Sequence, residues 1–466
     1  MRFQPGIGSF QKTALASAVL LVLLFGLAGC RSTAGLFLPV NLHPEVMVEA
    51  RGALEAARPE RLDSALERLD RQTPDHSQVL YLLESARLKE LEGDLEASEA
   101  LYAEAEGLLD DERLRATFTA RGTMQTAVSL FTNDQALAYR GALFERILLH
   151  LFQSLNQLEQ EDLAEARISL NKALRDLRWG TDNLPALRRA ADRDLASAGF
   201  GSSMPTPDFS KSYAGLDLQS SADNALVYYL SGLLHQAMGD RDRAEIDYRN
   251  ALAYAPRTEP IQHALETLGG TEPGAGRLVV LHESGWVSPK IPFRFPVIIK
   301  NRSYTLSFPY YPDEPVYNAY PESILRVGKS EPLLYPVLNV DAVARKALEE
   351  EFPVIFLRQV LRMVAKQELQ AEANEADSLF GFAAAVFSIL SDTPDLRSWL
   401  SLPGSIHLAD LSLPAGTYEL SSAFGEEAPE TIELREGRIT LVRLTTANGR
   451  VIRIDSRLIP AYSDPL

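Results

Sequence analysis

Apolar residues recur three or four positions apart from residue 45 to about residue 268, with polar residues between them. This spacing places the apolar side chains on one face of a helix, so it predicts a series of amphipathic α-helices. Two stretches depart from the pattern. Arg113 to Thr132 is irregular, and Gly199 to Gln219 is rich in glycine, serine and proline, which predicts an exposed loop. The pattern therefore predicts an all-α domain over residues 45–268.

The helical pattern stops at Leu268, and the glycine-rich residues 269–276 predict a linker. No Lys-Ser or Lys-Thr pair follows these glycines, so the segment lacks the residues of a phosphate-binding loop. Arg277 to His282 predicts a buried strand. Trp286 to Tyr320 then carries nine aromatic residues and six prolines, which favours short extended strands. The aromatic rings suit either core packing or stacking on a carbohydrate.

Helical patterns return after this aromatic stretch. Asn339 or Asp341 can cap a helix that runs toward Phe352, and Pro353 suits the first turn of a second helix. Leu379 to Leu390 is apolar on nearly every face but too short to cross a bilayer. It is predicted either to form the central helix of a C-terminal domain or to contact lipid or a partner.

Alternating apolar and polar residues predict four strands near the end of the chain, at Ser405–Leu411, Thr417–Ser422, Thr431–Arg435 and Ile439–Thr445. Their short turns favour a small β-sandwich or a sheet covered by the preceding helices. We therefore predict an α+β multidomain chain. A helical array over residues 45–268 precedes a linker over 269–276 and a mixed strand and helix domain over 277–466.

One helical pair carries a repeat pattern. Residues Asn224 to Pro256 resemble a tetratricopeptide repeat, in which small residues let paired helices approach closely. Gly232 stands where the two helices touch, and Gly239-Asp240 forms the turn. The remaining signature positions are Tyr228, Ala244, Tyr248, Ala251 and Pro256. Two weaker copies precede it, one around Gly93-Asp94 and one around Asp162, in which Glu161 replaces the turn glycine.

The resemblance to tetratricopeptide repeats implies a concave surface lined by the first helix of each pair, which receives a peptide or helix of a partner. The matching positions include Arg87 and Glu90 in the first copy and Tyr229, Leu233 and Gln236 in the third. The second copy has only leucines there, at Leu148, Leu151, Leu155 and Leu158. These leucines are predicted to be buried against a neighbouring helix or loop, and a binding groove stays possible for the more polar positions of the first and third copies.

The first residues have the parts of a secretory signal over residues 1–29: a basic start, an apolar core from Ala14 to Leu27, and small residues at its end. The core is short for a membrane-spanning helix. The run Leu27-Ala28-Gly29-Cys30 resembles a bacterial lipobox, which implies that Cys30 carries diacylglyceryl and a further acyl chain such as palmitate. A soluble secreted protein with one stray thiol is the alternative.

Several acyl chains would hold the chain stably on a membrane, with residues 30–44 as a tether. Arg31 follows the lipobox, where proteobacterial lipoproteins of the inner membrane have Asp. By this resemblance, the predicted location is the periplasmic face of the outer membrane.

The net charge of the chain restricts the classes of partner that it can bind. The net charge of −17 argues against nucleic acid, whose binding depends on lysine and arginine. It also disfavours anionic lipid headgroups, so acyl chains would provide the membrane contact. The single cysteine excludes an internal disulfide and a multi-thiolate zinc site. No cofactor and no metal site are predicted.

The whole arrangement resembles a family of uncharacterised tetratricopeptide lipoproteins of Gram-negative bacteria. Four segments carry this resemblance: Tyr139–His150, Asn224–Pro256, Gly276–Gly285 and Asp395–Pro403. The resemblance implies no enzymatic activity.

No catalytic constellation stands out in the sequence. His282, Glu283 and Ser284 are adjacent, but neighbours on a strand point to opposite faces and so provide no nucleophile and base pair. We predict a non-catalytic scaffold that binds a protein partner in the cell envelope, with Arg397 and Trp399 as exposed contact residues of the C-terminal domain. The alternative is a module over residues 277–466 that binds or processes peptidoglycan or exopolysaccharide.

Overall fold

The structure, a computed structural model, describes residues 43–72, 77–119, 138–197, 218–299, 302–312, 324–373, 394–423 and 430–460. The chain divides between Leu42 and His43 into two units, and the description concerns the second. The predicted signal segment, the lipobox with Cys30 and the apolar run Leu379–Leu390 lie outside the described residues, as does most of the predicted loop Gly199–Gln219.

The N-terminal half is helical, as predicted. Its elements are α1 (His43–Glu55), α2 (Pro59–Gln72), α3 (Gln78–Glu92), α4 (Leu95–Thr119), α5 (Leu143–Glu159), α6 (Leu163–Ser197), α7 (Ala225–Ala237), α8 (Arg241–Tyr254) and α9 (Glu259–Glu266). Helix α4 extends into the stretch predicted to be irregular. Among the described residues, no helix combines the length and apolar character needed to cross a bilayer.

Three helix pairs, α3–α4, α5–α6 and α7–α8, share one turn geometry. The turn residues Gly93, Glu161 and Gly239 all have a positive φ, at 88°, 63° and 81°. The next residue is an aspartate in each pair, and its carboxylate accepts a backbone N–H three positions later, at Ala97, Glu165 and Arg243. This contact caps the second helix. The second copy therefore keeps the turn although a glutamate occupies the position that favours glycine.

Gly232 lies where α7 and α8 cross, as the repeat pattern predicts. A β-carbon at this position would lie 2.7 Å from Cδ1 and Cε1 of Tyr248. The Tyr248 ring cannot easily move away, because it is fully buried and its hydroxyl donates to Gln236 at 2.9 Å. The close approach of the two helices therefore depends on glycine.

Gly232→Ala should destabilise the protein by about 1–2 kcal/mol, because overpacking outweighs the better helix propensity of alanine. Gly107→Ala is the matched control on α4, where a β-carbon meets nothing within 4 Å. It should stabilise the protein by up to about 1 kcal/mol. Urea unfolding measures both values, and a stabilising Gly232→Ala would contradict the packing described here.

The second half contains strands and one long helix: β1 (Ala275–Ser284), β2 (Ile291–Ile299), β3 (Arg302–Tyr310), β4 (Leu325–Val327), β5 (Tyr335–Asn339), α10 (Val340–Ala373), β6 (Ser405–Pro414), β7 (Gly416–Ser422), β8 (Glu430–Leu434), β9 (Ile439–Ala447) and β10 (Arg450–Ile459). Asn339 caps α10 by accepting the backbone N–H of Ala342 at 2.9 Å. The prediction that Pro353 begins a second helix is wrong, because α10 continues through it. Strand β10 was not predicted, because its polar residues obscure the alternation.

The described strands form a five-stranded sheet in the order β10-β9-β1-β6-β5, a three-stranded sheet in the order β4-β7-β8, and the hairpin β2-β3. Strands β1 and β9 are parallel, and the other pairs are antiparallel. On β1, Val279 and Leu281 join the core shared with the helices, whereas Leu278 and Val280 join a second core with the three-stranded sheet. The five-stranded sheet is therefore the middle layer of an α+β fold.

Candidate functional site

The residues predicted to bind a partner lie between the helices and the five-stranded sheet. We call the surface formed by α3, α5 and α7, the first helices of the three pairs, the inner face. Arg87, Glu90, Tyr229 and Leu233 lie on it and are at most 1% exposed, while Gln236 is half-buried. Four of these side chains bond to the chain's own strands, and Leu233 lies in the core shared with the sheet, so this face is occupied by the chain itself.

An ion network joins the centre of the inner face to the sheet. The Arg443 guanidinium on β9 donates to Glu159 at 2.6 Å and to Glu283 at 2.7 Å, and it also pairs with Glu90. Arg87 pairs with Glu90 at 2.7 Å and with Glu283. These five side chains are at most 3% exposed. Charge separated from water at this depth requires close pairing, which the network provides.

The network changes the acidity of its central carboxyl group. Burial by itself would raise the pKa of Glu283, but the neighbouring Arg87 and Arg443 outweigh burial and lower this pKa to about 2. Glu283 therefore stays ionised across the neutral range. Arg453 on β10 also pairs with Glu159, so three arginines face three glutamates.

A second polar cluster joins α7 and α9 to the same face of the sheet, near its β6 strand. The Asp410 carboxylate on β6 accepts from Arg277 at 2.8 Å and from the Tyr229 hydroxyl at 2.6 Å, and it lies 2.9 Å from Nδ1 of His263. Gln236 Oε1 accepts from Arg277 at 2.6 Å. Burial would raise the pKa of Asp410, but Arg277 and His263 lower it. The cluster fixes the third helix pair to the sheet.

The loop over residues 394–404 occupies the other end of the inner face. The Glu84 carboxylate accepts the backbone N–H groups of Leu400 at 2.6 Å and Ser401 at 2.8 Å, and Glu145 accepts that of Trp399 at 2.9 Å. Helix side chains thus hold this loop through its main chain, as a groove would hold an extended peptide. The inner face is filled by the protein's own sheet and loop.

The prediction that Arg397 and Trp399 are exposed is wrong. Trp399 is fully buried, and its ring meets Tyr102 and Phe152 edge to face with centroids 6.0 Å apart. Arg397 is 5% exposed and pairs with Asp395 at 2.7 Å. Both side chains hold the loop in place instead of presenting a surface.

The four leucines of the second copy are buried, as predicted. Leu148, Leu151, Leu155 and Leu158 are at most 2% exposed. One feature of the sequence indicated that the inner face is filled by the chain itself. Arg277 and Glu283 lie an even number of positions from Val279 and Leu281 on a strand predicted to be buried, so their charges had to point into a core and meet buried partners.

The histidines of the sheet form no catalytic site with Glu283. His282 Nε2 lies 2.7 Å from the Thr446 hydroxyl on the face opposite Glu283, as predicted for neighbours on a strand. His407 lies 3.0 Å from the Ser405 hydroxyl, but both residues are at most 3% exposed. Burial, with a smaller effect of His407, lowers the pKa of His282 to about 3. Within the described ranges, no three acidic, histidine or cysteine side chains are placed to hold a metal ion.

The described aromatic residues of the stretch 286–320 pack mainly in the core. Phe308 stacks on Phe356 with centroids 5.7 Å apart, and Tyr311 is 2% exposed. Phe293 is 38% exposed. Residues 313–323 lie outside the described ranges, and the alternative of carbohydrate binding stays a prediction.

Comparison with known proteins gives little further information. No protein-family model and no curated protein matches the chain. Among solved structures, it is similar to a tetratricopeptide repeat protein from Parabacteroides merdae ATCC 43184. The match has 12% sequence identity and covers 49% of this chain and 99% of that chain, with a TM-score of 0.14. A TM-score this low supports no conclusion about fold or function.

Proposed function

We propose that the chain is a lipid-anchored, non-catalytic scaffold of the bacterial cell envelope. Acyl chains on Cys30 hold it at the periplasmic face of the outer membrane, and its helical array recruits a protein partner. Because the inner face is filled, recruitment uses the outer helices, which we define as α6 and α8, the second helices of the second and third pairs.

The observation that carries this proposal is the distribution of exposed apolar side chains. The outer helices expose Ile168, Trp179, Leu187 and Ile246 by 44%, 47%, 53% and 59%. These are four of the nine large apolar side chains that are exposed among the described residues. Concentrated apolar exposure beside charged residues is typical of protein-binding surfaces.

Photo-crosslinking tests the proposal in intact cells. A benzoylphenylalanine placed at Trp179 should yield a discrete higher-mass adduct with an envelope protein. The same group at Leu333, which is 46% exposed in the second half of the chain, serves as the control and should yield none. If neither Trp179 nor Leu187 yields an adduct and the purified chain pellets with peptidoglycan, the scaffold proposal fails and the glycan alternative is supported.

A further inference from the structure

A cavity of about 420 Å³ lies between α6, α7 and α8, outside the ion network and the inner-face contacts. Its volume falls within the usual range of ligand pockets, about 300–1,000 Å³. Its lining residues are Arg167, Ile168, Asn171, Leu174, Arg178, Ser231, His235, Arg243, Ile246 and Asp247.

Three arginines give this cavity a positive character in a chain of net charge −17. Burial raises the pKa of the Tyr228 hydroxyl, and Arg178 lies near enough to oppose this rise. Arg243 lies 3.4 Å from Asp240, but the two side chains are 66% and 40% exposed, so this pair is weak. Arg167 lies on the α6 side of the cavity. Burial lowers the pKa of His235, and Arg243 and Arg167 are near enough to lower it further. The arginine forks are therefore accessible to an anionic ligand.

One carboxylate lines the cavity, and it already has hydrogen-bonding partners within the protein. Asp247 accepts from the Ser231 hydroxyl at 2.6 Å and lies 3.8 Å from Nε2 of His235. Three arginines against this single lining carboxylate leave an excess of positive charge. A multiply charged anion would meet repulsion from Asp247 and Asp240, whereas single carboxylates can each take one arginine.

Apolar side chains stand beside the arginines. Ile168 and Ile246 are 44% and 59% exposed, and Leu174 closes the cavity between them. A small inorganic anion would leave this apolar surface in contact with water. A peptide that carries both carboxylates and aliphatic side chains would cover it.

We infer that this cavity binds an acidic peptide segment of a partner protein. Glutamate or aspartate side chains of the segment pair with Arg167, Arg178 and Arg243, and an aliphatic side chain covers Ile168 and Ile246. This inference rests on the proposed scaffold function and names the site and the chemistry of its ligand.

Fluorescence anisotropy on the purified chain tests the site with defined probes. The probes are labelled hexapeptides with two Glu and two Leu residues in every order, each with a Gln-for-Glu counterpart. The test variant is Arg167→Gln/Arg243→Gln. The control is Arg175→Gln/Arg249→Gln, which removes the same charge from the same two helices at 59% and 70% exposed side chains that do not line the cavity.

We expect at least one Glu peptide to bind the wild type and the control variant equally. The test variant should bind it about tenfold more weakly, because it loses two charge-assisted pairs with the peptide. The Gln peptide should also bind the wild type weakly. Its affinity should not exceed that of the Glu peptide for the test variant.

Three results would overturn the inference: no Glu peptide binds more tightly than its Gln counterpart, both double variants bind alike, or inorganic phosphate displaces the peptide at lower concentration than acetate does. This assay needs no envelope partner, so a negative result would exclude the peptide site without excluding a crosslink from Trp179 to a partner. Absence of that crosslink would instead count against the proposed scaffold function itself.

Discussion

Arg443→Met should destabilise the protein by about 3–5 kcal/mol, because it leaves Glu90, Glu159 and Glu283 buried with too little positive charge. Methionine keeps much of the length of the side chain, so loss of charge dominates the effect. Urea unfolding at neutral pH measures it. Arg435→Met is the control, because Arg435 and its partner Glu433 are 57% and 61% exposed. Its effect should stay within about 0.5 kcal/mol.

The cost of Arg443→Met should also depend on pH. The pKa of Glu283 is about 2 in the folded protein and about 4.3 in an unfolded chain. Its ionised form therefore stabilises the fold fully above the unfolded value, and this contribution is lost as the pH falls toward 2. Removing Arg443 raises the folded pKa and shrinks the contribution. The difference between wild type and variant should narrow as the pH falls below about 5.

A second substitution distinguishes the electrostatic effect of Arg443→Met from its effect on packing. Glu283→Gln in the Arg443→Met background removes one of the carboxylates that has lost an arginine partner, so the double variant should be more stable than the sum of the single effects predicts. Strict additivity would mean that the two side chains do not interact, and an effect of Arg443→Met equal to that of Arg435→Met would contradict the buried network.

The helix pairs could be predicted because their determinants are local. Each aspartate cap, at Asp94, Asp162 and Asp240, lies directly after its turn residue, and the apolar spacing fixes which face is buried. Even the copy with Glu161 in the turn was recognisable, since the positions after it keep the period. Cap and turn chemistry acts over three or four residues, which a single sequence displays directly.

The filling of the inner face could not be predicted, because it depends on distant residues. Glu283 lies 196 positions after Arg87, and Arg443 lies 353 positions after Glu90. Arginine and glutamate are mostly exposed unless they are paired. A charged residue on the first helix of a repeat therefore indicates a partner surface until its buried counterpart is known. The same reasoning led to the wrong prediction for Arg397.

The filled inner face also changes how the array can act. The inner face holds the protein's own sheet through buried ion pairs and is part of the folding core, so substitutions there alter stability before they alter binding. Exposed positions on α6 and α8 can be changed with little effect on stability. Partner binding is therefore best tested at Trp179 or Arg243, where effects on binding and on stability separate.

If Cys30 carries the proposed lipid anchor, Cys30→Ser should move the protein completely from the membrane fraction to the soluble fraction, because serine cannot accept the diacylglyceryl group through a thioether. Fractionation of cells after carbonate washing measures the change. The unfolding midpoint of the released chain should match that of detergent-extracted wild type, since residues 43 onward form a unit separate from residues 1–42. A serine variant that stays in the membrane fraction would contradict the lipid anchor.

Two further variants distinguish lipid attachment at Cys30 from sorting between the inner and outer membranes. Gly29→Ala keeps a small residue before Cys30 and should leave the protein in the outer membrane. Under the same proposal, Arg31→Asp should keep the acyl chains but introduce the residue that marks inner-membrane lipoproteins, so the protein should move to the inner membrane on a density gradient. Several acyl chains resist release, whereas a single chain binds only marginally. Protein that carbonate releases from wild-type membranes would therefore indicate attachment through a partner, in which case Cys30→Ser would leave the distribution unchanged.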